Sequence, residues 1–301
     1  PGFQHSKDFM VCDITDHLKI IEAATKFKVN GITSYGTDVP IVAIANAAEK
    51  LSLPSIGVEQ ANLSINKLLQ RNLLNKTGIS KIDYRVFSKV NDAYQIAKSM
   101  NFPIVIKPTD SSGSRGVRYI ENFKNINKNV LSNTLTKSRR GLGIIETFIN
   151  GKEIAVDGFI LAGNPTILSI CEKHRSDKPF LLDTELKFPL KCSQFEKGEV
   201  MKLVNTILAQ TQIQYSPFHM EIILSDNGPF LVEFGARGPG FNVFETILPM
   251  ITGVDTIHEQ AKIALGRPSQ KIKPSKKRSA VLSFIFSEHD GILNSICEEA
   301  T

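Results

Sequence analysis

The sequence predicts an α/β chain of two or three lobes, with antiparallel hairpins (α+β) in its second half. Three observations carry this. Residues 10–60 alternate short apolar runs with helical patterns. Two later apolar segments are each broken by a turn signal, Ala162-Gly163-Asn164-Pro165 and Ser225-Asp226-Asn227-Gly228-Pro229. A length of 301 residues also exceeds one small module. Alternating strand and helix patterns imply parallel pairing through crossovers, whereas turn-broken apolar runs imply hairpins.

In chain order, Phe9–Cys12 and Gly31–Ser34 read as strands, and Ile14–Phe27 and Pro40–Leu51 as helices, with Asp38 or Val39 near the cap of the second. Leu53–Val58 completes a β-α-β-α-β rhythm, part of a doubly wound sheet. Leu63–Thr77 reads as one helix that carries Lys67 and stops at Gly78. The helix Asp92–Met100 leads into the strand Phe102–Lys107, the loop Pro108–Gly116, the strand Val117–Ile120 and the helix Phe123–Leu135. Ile144–Ile149 is a strand broken at Asn150-Gly151, and Glu153–Leu161 pairs with Thr166–Lys173. Gly198–Gln210 is helical, Phe218–Phe234 is the second hairpin, Val254–Leu265 is the last helix and Arg278–Phe286 a terminal strand.

Composition excludes several function classes. At 42% hydrophobic and 22% charged residues, the chain is an ordinary globular one. The net charge of +6 and isoelectric point near 9.0 are spread along the chain, and the densest run, Lys271, Lys273, Lys276, Lys277 and Arg278, lacks interleaved aromatics. Nucleic acid is therefore not an expected partner. The excess positive charge instead suits an enzyme that attracts nucleotide phosphates and carboxylates. Cys12, Cys171, Cys192 and Cys297 form no CxxC pair, so reduced thiols in a cytoplasmic protein are expected. No apolar stretch reaches ~18 residues and no signal-peptide pattern is present, so no membrane contact is expected. The chain opens on Pro1, and a fragment or processed form is the expectation.

The second hairpin is the most informative segment. A three-residue loop, Asp226–Gly228, would pair Ser225 with Pro229, Ile223 with Leu231 and Glu221 with Glu233. Two carboxylates would then share one face, ~5 Å apart at their β-carbons, a conflict that a hard cation removes. Alternatively both sit on a solvated face, each satisfied by a lysine, and a four-residue loop would put them on opposite faces. Arg237, four residues on, can set a fixed cation where charge develops on a transferring phosphoryl group. A second set is Lys107 at the end of a buried strand, followed by Ser111-Ser112-Gly113-Ser114-Arg115-Gly116-Val117. Such a loop lets backbone N–H groups approach phosphate oxygens, although a plain flexible turn reads the same way. It is neither a Walker A loop nor a Rossmann fingerprint. A third set runs from Glu146 through Phe148 and Ile149 to Glu153; alone, it is only a strand and a turn.

In their order and spacing these sets, with Asn66-Lys67 and Glu233-Phe-Gly-Ala-Arg237, resemble the ATP-grasp superfamily, in its carbamoyl-phosphate-synthase-like and amino-acid-ligase branch. The resemblance covers roughly residues 10–268. It implies an ATP-grasp fold with two lobes sandwiching ATP. A partial Rossmann-like domain (1–61) would precede an ATP-grasp domain (62–268, small lobe about 80–149), followed by an incomplete carboxy-terminal segment (269–301). It implies that Lys67 and Lys107 contact ATP phosphates, that Ser111, Ser112, Gly113, Ser114, Gly116 and Val117 close over them, that Glu146, Phe148 and Ile149 hold adenine and that Glu153 holds the ribose. Glu221 and Glu233 would bind Mg²⁺, with Mn²⁺ as a substitute, and Arg237 with Lys107 would stabilise the transition state. The implied reaction joins a small carboxylic acid to an amine through an acyl phosphate, in a chain that can form a homodimer. The alternatives are a kinase on the same fold and a non-catalytic nucleotide-binding protein. One departure stands out: where the family often has Asn, this chain has Gly235, so a ligand is lost, replaced by water, or supplied by Asn242. Lys173, His174 and Arg175 are candidates for the substrate carboxylate, whereas His219 reads as a packed histidine.

Overall fold

Two antiparallel sheets organise the computed structural model, which describes residues 2–79, 82–178, 181–285 and 291–292. The amino-terminal part contributes the helices α1 (His17–Lys26), α2 (Ile41–Lys50), α3 (Val58–Ile65) and α4 (Lys67–Thr77). The smaller sheet has β1 (Tyr84–Phe87), β2 (Ile104–Pro108), β3 (Arg118–Ile120) and β4 (Gly143–Thr147) in the order β1-β4-β2-β3. Helices α5 (Val90–Lys98) and α6 (Lys128–Lys137) back it, around Phe87, Ile104, Ile106, Leu131 and Ile145.

The larger sheet has β5 (Lys152–Leu161), β6 (Asn164–Arg175), β7 (Asp183–Phe188), β8 (Tyr215–Ser225), β9 (Gly228–Gly235) and β10 (Ala280–Ser283), in the order β10-β7-β6-β5-β8-β9. One face packs on α7 (Gln194–Thr211) through Ile154, Val156, Met220, Ile222 and Phe234. A capping box starts α7: Ser193 Oγ accepts from the Glu196 N–H, and the Glu196 carboxylate accepts from the Ser193 N–H. A π-helical turn (Val243–Ile247), α8 (Leu248–Thr252) and α9 (Thr256–Ala264) follow β9. Phe244, Leu248 and Ile251 of this region form a second core with Phe159 and Leu186.

Most predicted elements are present, with shifted ends. The strands expected at Phe9–Cys12, Gly31–Ser34 and Leu53–Val58 are not. An apolar run becomes a strand only where a neighbouring ladder takes its N–H and C=O groups, and no strand ladder forms over these segments among the described residues. Phe9 and Val11 are 57% and 78% exposed, and Val58 instead opens α3. The helix expected over Leu63–Thr77 is two, because Asn66 is extended (φ −122°, ψ 106°) and its side chain accepts from the Leu68 and Leu69 N–H groups. Gly78 ends α4 in the left-handed region (φ 72°), as expected. The terminal strand spans Ala280–Ser283 of the expected Arg278–Phe286, whose last residue lies outside the described ones, as does Cys297. No described helix is long and apolar enough to cross a membrane.

Gly158 is required where β6 bulges against β5, Leu168 being skipped between the Asp157–Ser169 and Gly158–Ile167 pairs. A β-carbon there would lie 2.2 Å from the Thr166 carbonyl oxygen, in a backbone that central pairing holds on both sides. Gly158→Ala is expected to cost about 1–3 kcal/mol, read by urea unfolding; an unchanged midpoint contradicts this packing.

Candidate active site

Strand alternation selects the polar face of the larger sheet. Register places Ala155 opposite Glu221, Asp157 opposite His219 and Glu153 opposite Lys173, all on the face away from α7. Glu221 and Glu233 are paired, as the sequence predicts, but by a different route. The turn is Asp226-Asn227, with Ser225 opposite Gly228 (φ 99°), which alone would set Glu221 against Val232. A bulge between Ile222 and Glu221 skips Val232 and restores the carboxylate pair.

Each carboxylate has a counter-charge. Glu221 accepts from Lys173 Nζ in a short contact, with Arg175 Nη2 3.6 Å away. Lys173 Nζ also lies 3.3 Å from Asp183 and 3.6 Å from Glu153, while Arg175 donates to Glu153. Burial pushes the Glu221 carboxyl up, but Lys173, the His219 hydrogen bond and Arg175 hold it well below the usual range. Lys173 is itself raised: burial opposes its charge, and Glu221, Glu153 and Asp183 outweigh that. His219 is not a merely packed histidine. Its Nδ1 is 2.7 Å from Asp157 Oδ1 and its Nε2 3.5 Å from Glu221, and against burial Asp157 raises its pKa to about 9.

Helix α4 supplies the rest. Lys67 Nζ lies 2.5 Å from Glu233 and donates to the Ser111 carbonyl at 2.8 Å, tying the Gly/Ser loop to the metal-candidate pair. One turn on, Gln70 exchanges two hydrogen bonds with the Phe234 backbone on the outer edge of β9 (2.8 and 3.0 Å). Arg71 donates to the Val232 carbonyl at the bulge (2.8 Å) and to both Glu146 oxygens (2.7 and 3.2 Å). Lys107 Nζ lies 2.5 Å from the same carboxylate. Burial and Arg71 depress the Lys107 pKa despite that partner, while Arg71 and Lys107 overcome burial to hold Glu146 at about 2. The sequence reading missed Gln70, Arg71 and Asp38. The signal for the first two was present: Lys67, Gln70 and Arg71 are polar residues at i, i+3 and i+4, one face of a helix.

Between the two sheets is a cavity of about 600 Å³. It is lined by Lys67, Lys107, Ser111, Ser112, Gly113, Ser114, Val117, Glu146, Phe148, Ile149, Glu153, Lys173, His174, Arg175, Glu221, Glu233 and Arg237. Two expected residues are not brought in. Gly116 is buried behind the loop at φ 78°, where a β-carbon would lie 2.9 Å from Pro108. Asn242 is exposed at φ 59°, outside the lining, and so does not replace the group absent at Gly235. Three further candidates already have partners. The Glu146 carboxylate accepts from Arg71 and lies against Lys107 Nζ. The Phe148 N–H donates to Pro103 O (3.0 Å), which leaves the donor at this strand end to Ile149. His174 Nε2 lies 3.5 Å from Glu172, apart from the Lys173–Arg175 network. Ser114 Oγ donates to Leu181 O (3.3 Å), and Lys178 Nζ sits 4.0 Å from the Tyr119 ring and 4.8 Å from that of Phe148. Among the described residues no group of three or more His, Cys, Asp or Glu side chains can hold a metal ion.

The Glu146 cluster has a pH signature. Its pKa is depressed from 4.5 to about 2, so its stabilisation is fully present above pH 4.5 and is lost as pH falls through 2. That shift is worth about 3 kcal/mol. Glu146→Gln should lack this acid slope and be about 3–5 kcal/mol less stable at pH 7, with Arg71 and Lys107 left buried. Urea unfolding at pH 3, 5 and 7 reads both.

Residues 100–243 match the family model of the ATP-grasp domain. The chain is 22% identical over 273 residues to the uncharacterized protein y4rH of Sinorhizobium fredii, covering 90% of this chain and 56% of that one. It is 24% identical over 251 residues to alanine–anticapsin ligase of Bacillus subtilis, covering 76% and 52%. It thus spans about half the length of these relatives. The crystal structure of L-amino acid ligase from Bacillus licheniformis superposes with a TM-score of 0.75 at 23% identity, covering 88% of this chain and 64% of that one. Two sheets facing one cavity, with paired glutamates on the larger, are thus set in a chain whose residues 100–243 match the ATP-grasp domain and which has the ATP-grasp fold.

Proposed function

We propose that this chain is the ATP-binding and phosphoryl-transfer part of a carboxylate–amine ligase that activates a small carboxylic acid as its acyl phosphate. The observation that carries the reading is the facing pair Glu221 and Glu233, with Lys67, Lys107 and Arg237 around the same cavity. Ligase names among the relatives and structural neighbours support the class.

The residues fit a magnesium–nucleotide complex. Two hard carboxylate oxygen donors, with no group of three among the described residues, match a Mg²⁺ ion that draws its other ligands from phosphate and water. The ion would supply charge neutralisation on the phosphate oxygens, held by Glu221 and Glu233; Mn²⁺ suits the same donors. Lys67 and Lys107 stand at the cavity wall as fixed donors toward phosphate, and the Ser111–Val117 loop can close over it. The Ile149 end of β4 offers backbone to the base. Glu153 is tied to Arg175 and Lys173, so it meets a ribose only by sharing those partners.

In the reaction, a substrate carboxylate oxygen attacks the γ-phosphorus and the bond to the β–γ bridging oxygen breaks, leaving ADP. Arg237 balances charge on the transferring group. An amine then attacks the acyl carbon, phosphate leaves with the bonding pair, and the amine loses a proton. No side chain becomes covalently attached, so the protein contributes position and electrostatics.

The test is ATP-dependent hydroxamate formation across a panel of carboxylic acids with hydroxylamine, alongside ADP release. Acid-dependent formation of both products is expected, and Glu233→Ala should lower turnover by about 10²-fold or more. ADP release without hydroxamate, but with a stable phosphorylated product, would point to a kinase; retained activity in Glu233→Ala would remove that residue from the site.

A further inference from the structure

Arg237 does not stand alone. Its Nε donates to Asp38 Oδ1 at 2.7 Å and its Nη2 to Asp38 Oδ2 at 3.0 Å, while Nη1 donates to Gly238 O at 3.1 Å. All three nitrogens are thereby fixed, in a side chain that is 10% exposed. Asp38 lies almost two hundred positions earlier, just before α2, in a segment that sequence reasoning assigned to a separate lobe.

The contact is built by small residues on both sides. Gly36 is left-handed (φ 69°), and a β-carbon on Gly240 would lie 3.1 Å from the Gly36 carbonyl oxygen, so these backbones meet without side chains between them. At Gly235, a β-carbon would lie 3.4 Å from Asp38 Oδ1 and 3.5 Å from Arg237 Cγ, so this backbone runs directly against the ion pair. Asp38 also lines both the large cavity and an adjoining one of about 240 Å³, which share Lys67, Glu233 and Arg237. Burial opposes its charge, yet Arg237 holds its carboxyl below the usual range.

We infer that Asp38 is a positioning residue: its carboxylate, brought in by the segment before α2, fixes the plane of the Arg237 guanidinium at the phosphoryl-transfer site. A bidentate carboxylate is the partner that fixes a guanidinium in both direction and plane, which one carbonyl cannot do.

The inference rests on the proposed role of Arg237, and the experiment separates the two. Steady-state hydroxamate formation is measured for the wild type, Asp38→Asn, Asp38→Glu, Arg237→Lys and the double variant Asp38→Asn/Arg237→Lys, with melting temperature as a check on folding. Asp38→Asn should lower kcat by about 10–100-fold, the scale of one lost charge-assisted contact, while KM for ATP stays within about threefold. Asp38→Glu should recover part of the loss, and the double variant should be no slower than Arg237→Lys, because the carboxylate acts through the arginine. An unchanged kcat in Asp38→Asn, or losses that multiply in the double variant, overturns the inference. Should Asp38→Asn not fold, Asp38→Glu, with its KM-against-kcat split, carries the same comparison. A wild type that releases no ADP with any acid overturns the ligase reading itself, and the inference with it, before any variant is compared.

Discussion

Glu221 and Glu233 stand side by side on one face of a sheet, and the fold must supply counter-charge to both before any ligand arrives. Two adjacent carboxylates out of water are unfavourable unless they share a proton or a cation. Here the cations are internal: Lys173 and Arg175 from β6 serve Glu221, and Lys67 from α4 serves Glu233. The same lysines face the cavity, so a ligand that brings its own cation exchanges partners in an existing network. Ionic contacts of this kind orient groups more than they stabilise a fold.

A single helix turn joins that network to the smaller sheet. Lys67 reaches the pair and the Gly/Ser loop, Gln70 seals the outer edge of β9, and Arg71 takes the bulge carbonyl and clamps Glu146. The edge of a sheet normally leaves N–H and C=O groups open. Here their satisfaction by α4 is also what fixes the small-lobe lysine, Lys107, through Glu146. Edge capping and site geometry are one arrangement.

Much of this was legible in the sequence where the signal is local. The two hairpins, the strand ending in Lys107 and the loop after it are marked by apolar runs and turn residues, and their lengths set which side chains share a face. The Glu221–Glu233 pairing was anticipated from a three-residue turn; a shorter turn and a bulge at Val232 reach the same register. Bulges have no fixed residue signature, so that route was not readable. The extended segments before residue 60 carry strand-like apolar runs without ladder partners among the described residues. The strand β7 went unseen because its sequence, Asp-Thr-Glu-Leu-Lys-Phe, is mostly polar, with Asp183 paired to Lys173 and Arg175. Asp38 could not be found from sequence, since nothing local says that it meets Arg237.

On the function proposed, the paired glutamates hold a divalent cation only together with nucleotide phosphates. Titrating Mn²⁺ against its free electron-paramagnetic-resonance signal, with and without a non-hydrolysable ATP analogue, tests it most directly. The account predicts little Mn²⁺ taken up by the protein alone, where Lys173 and Lys67 occupy the carboxylates, and about one ion per chain with the analogue, in keeping with two protein carboxylates completed by phosphate. Tight uptake without nucleotide, or uptake with it that survives Glu221→Gln/Glu233→Gln, would contradict it.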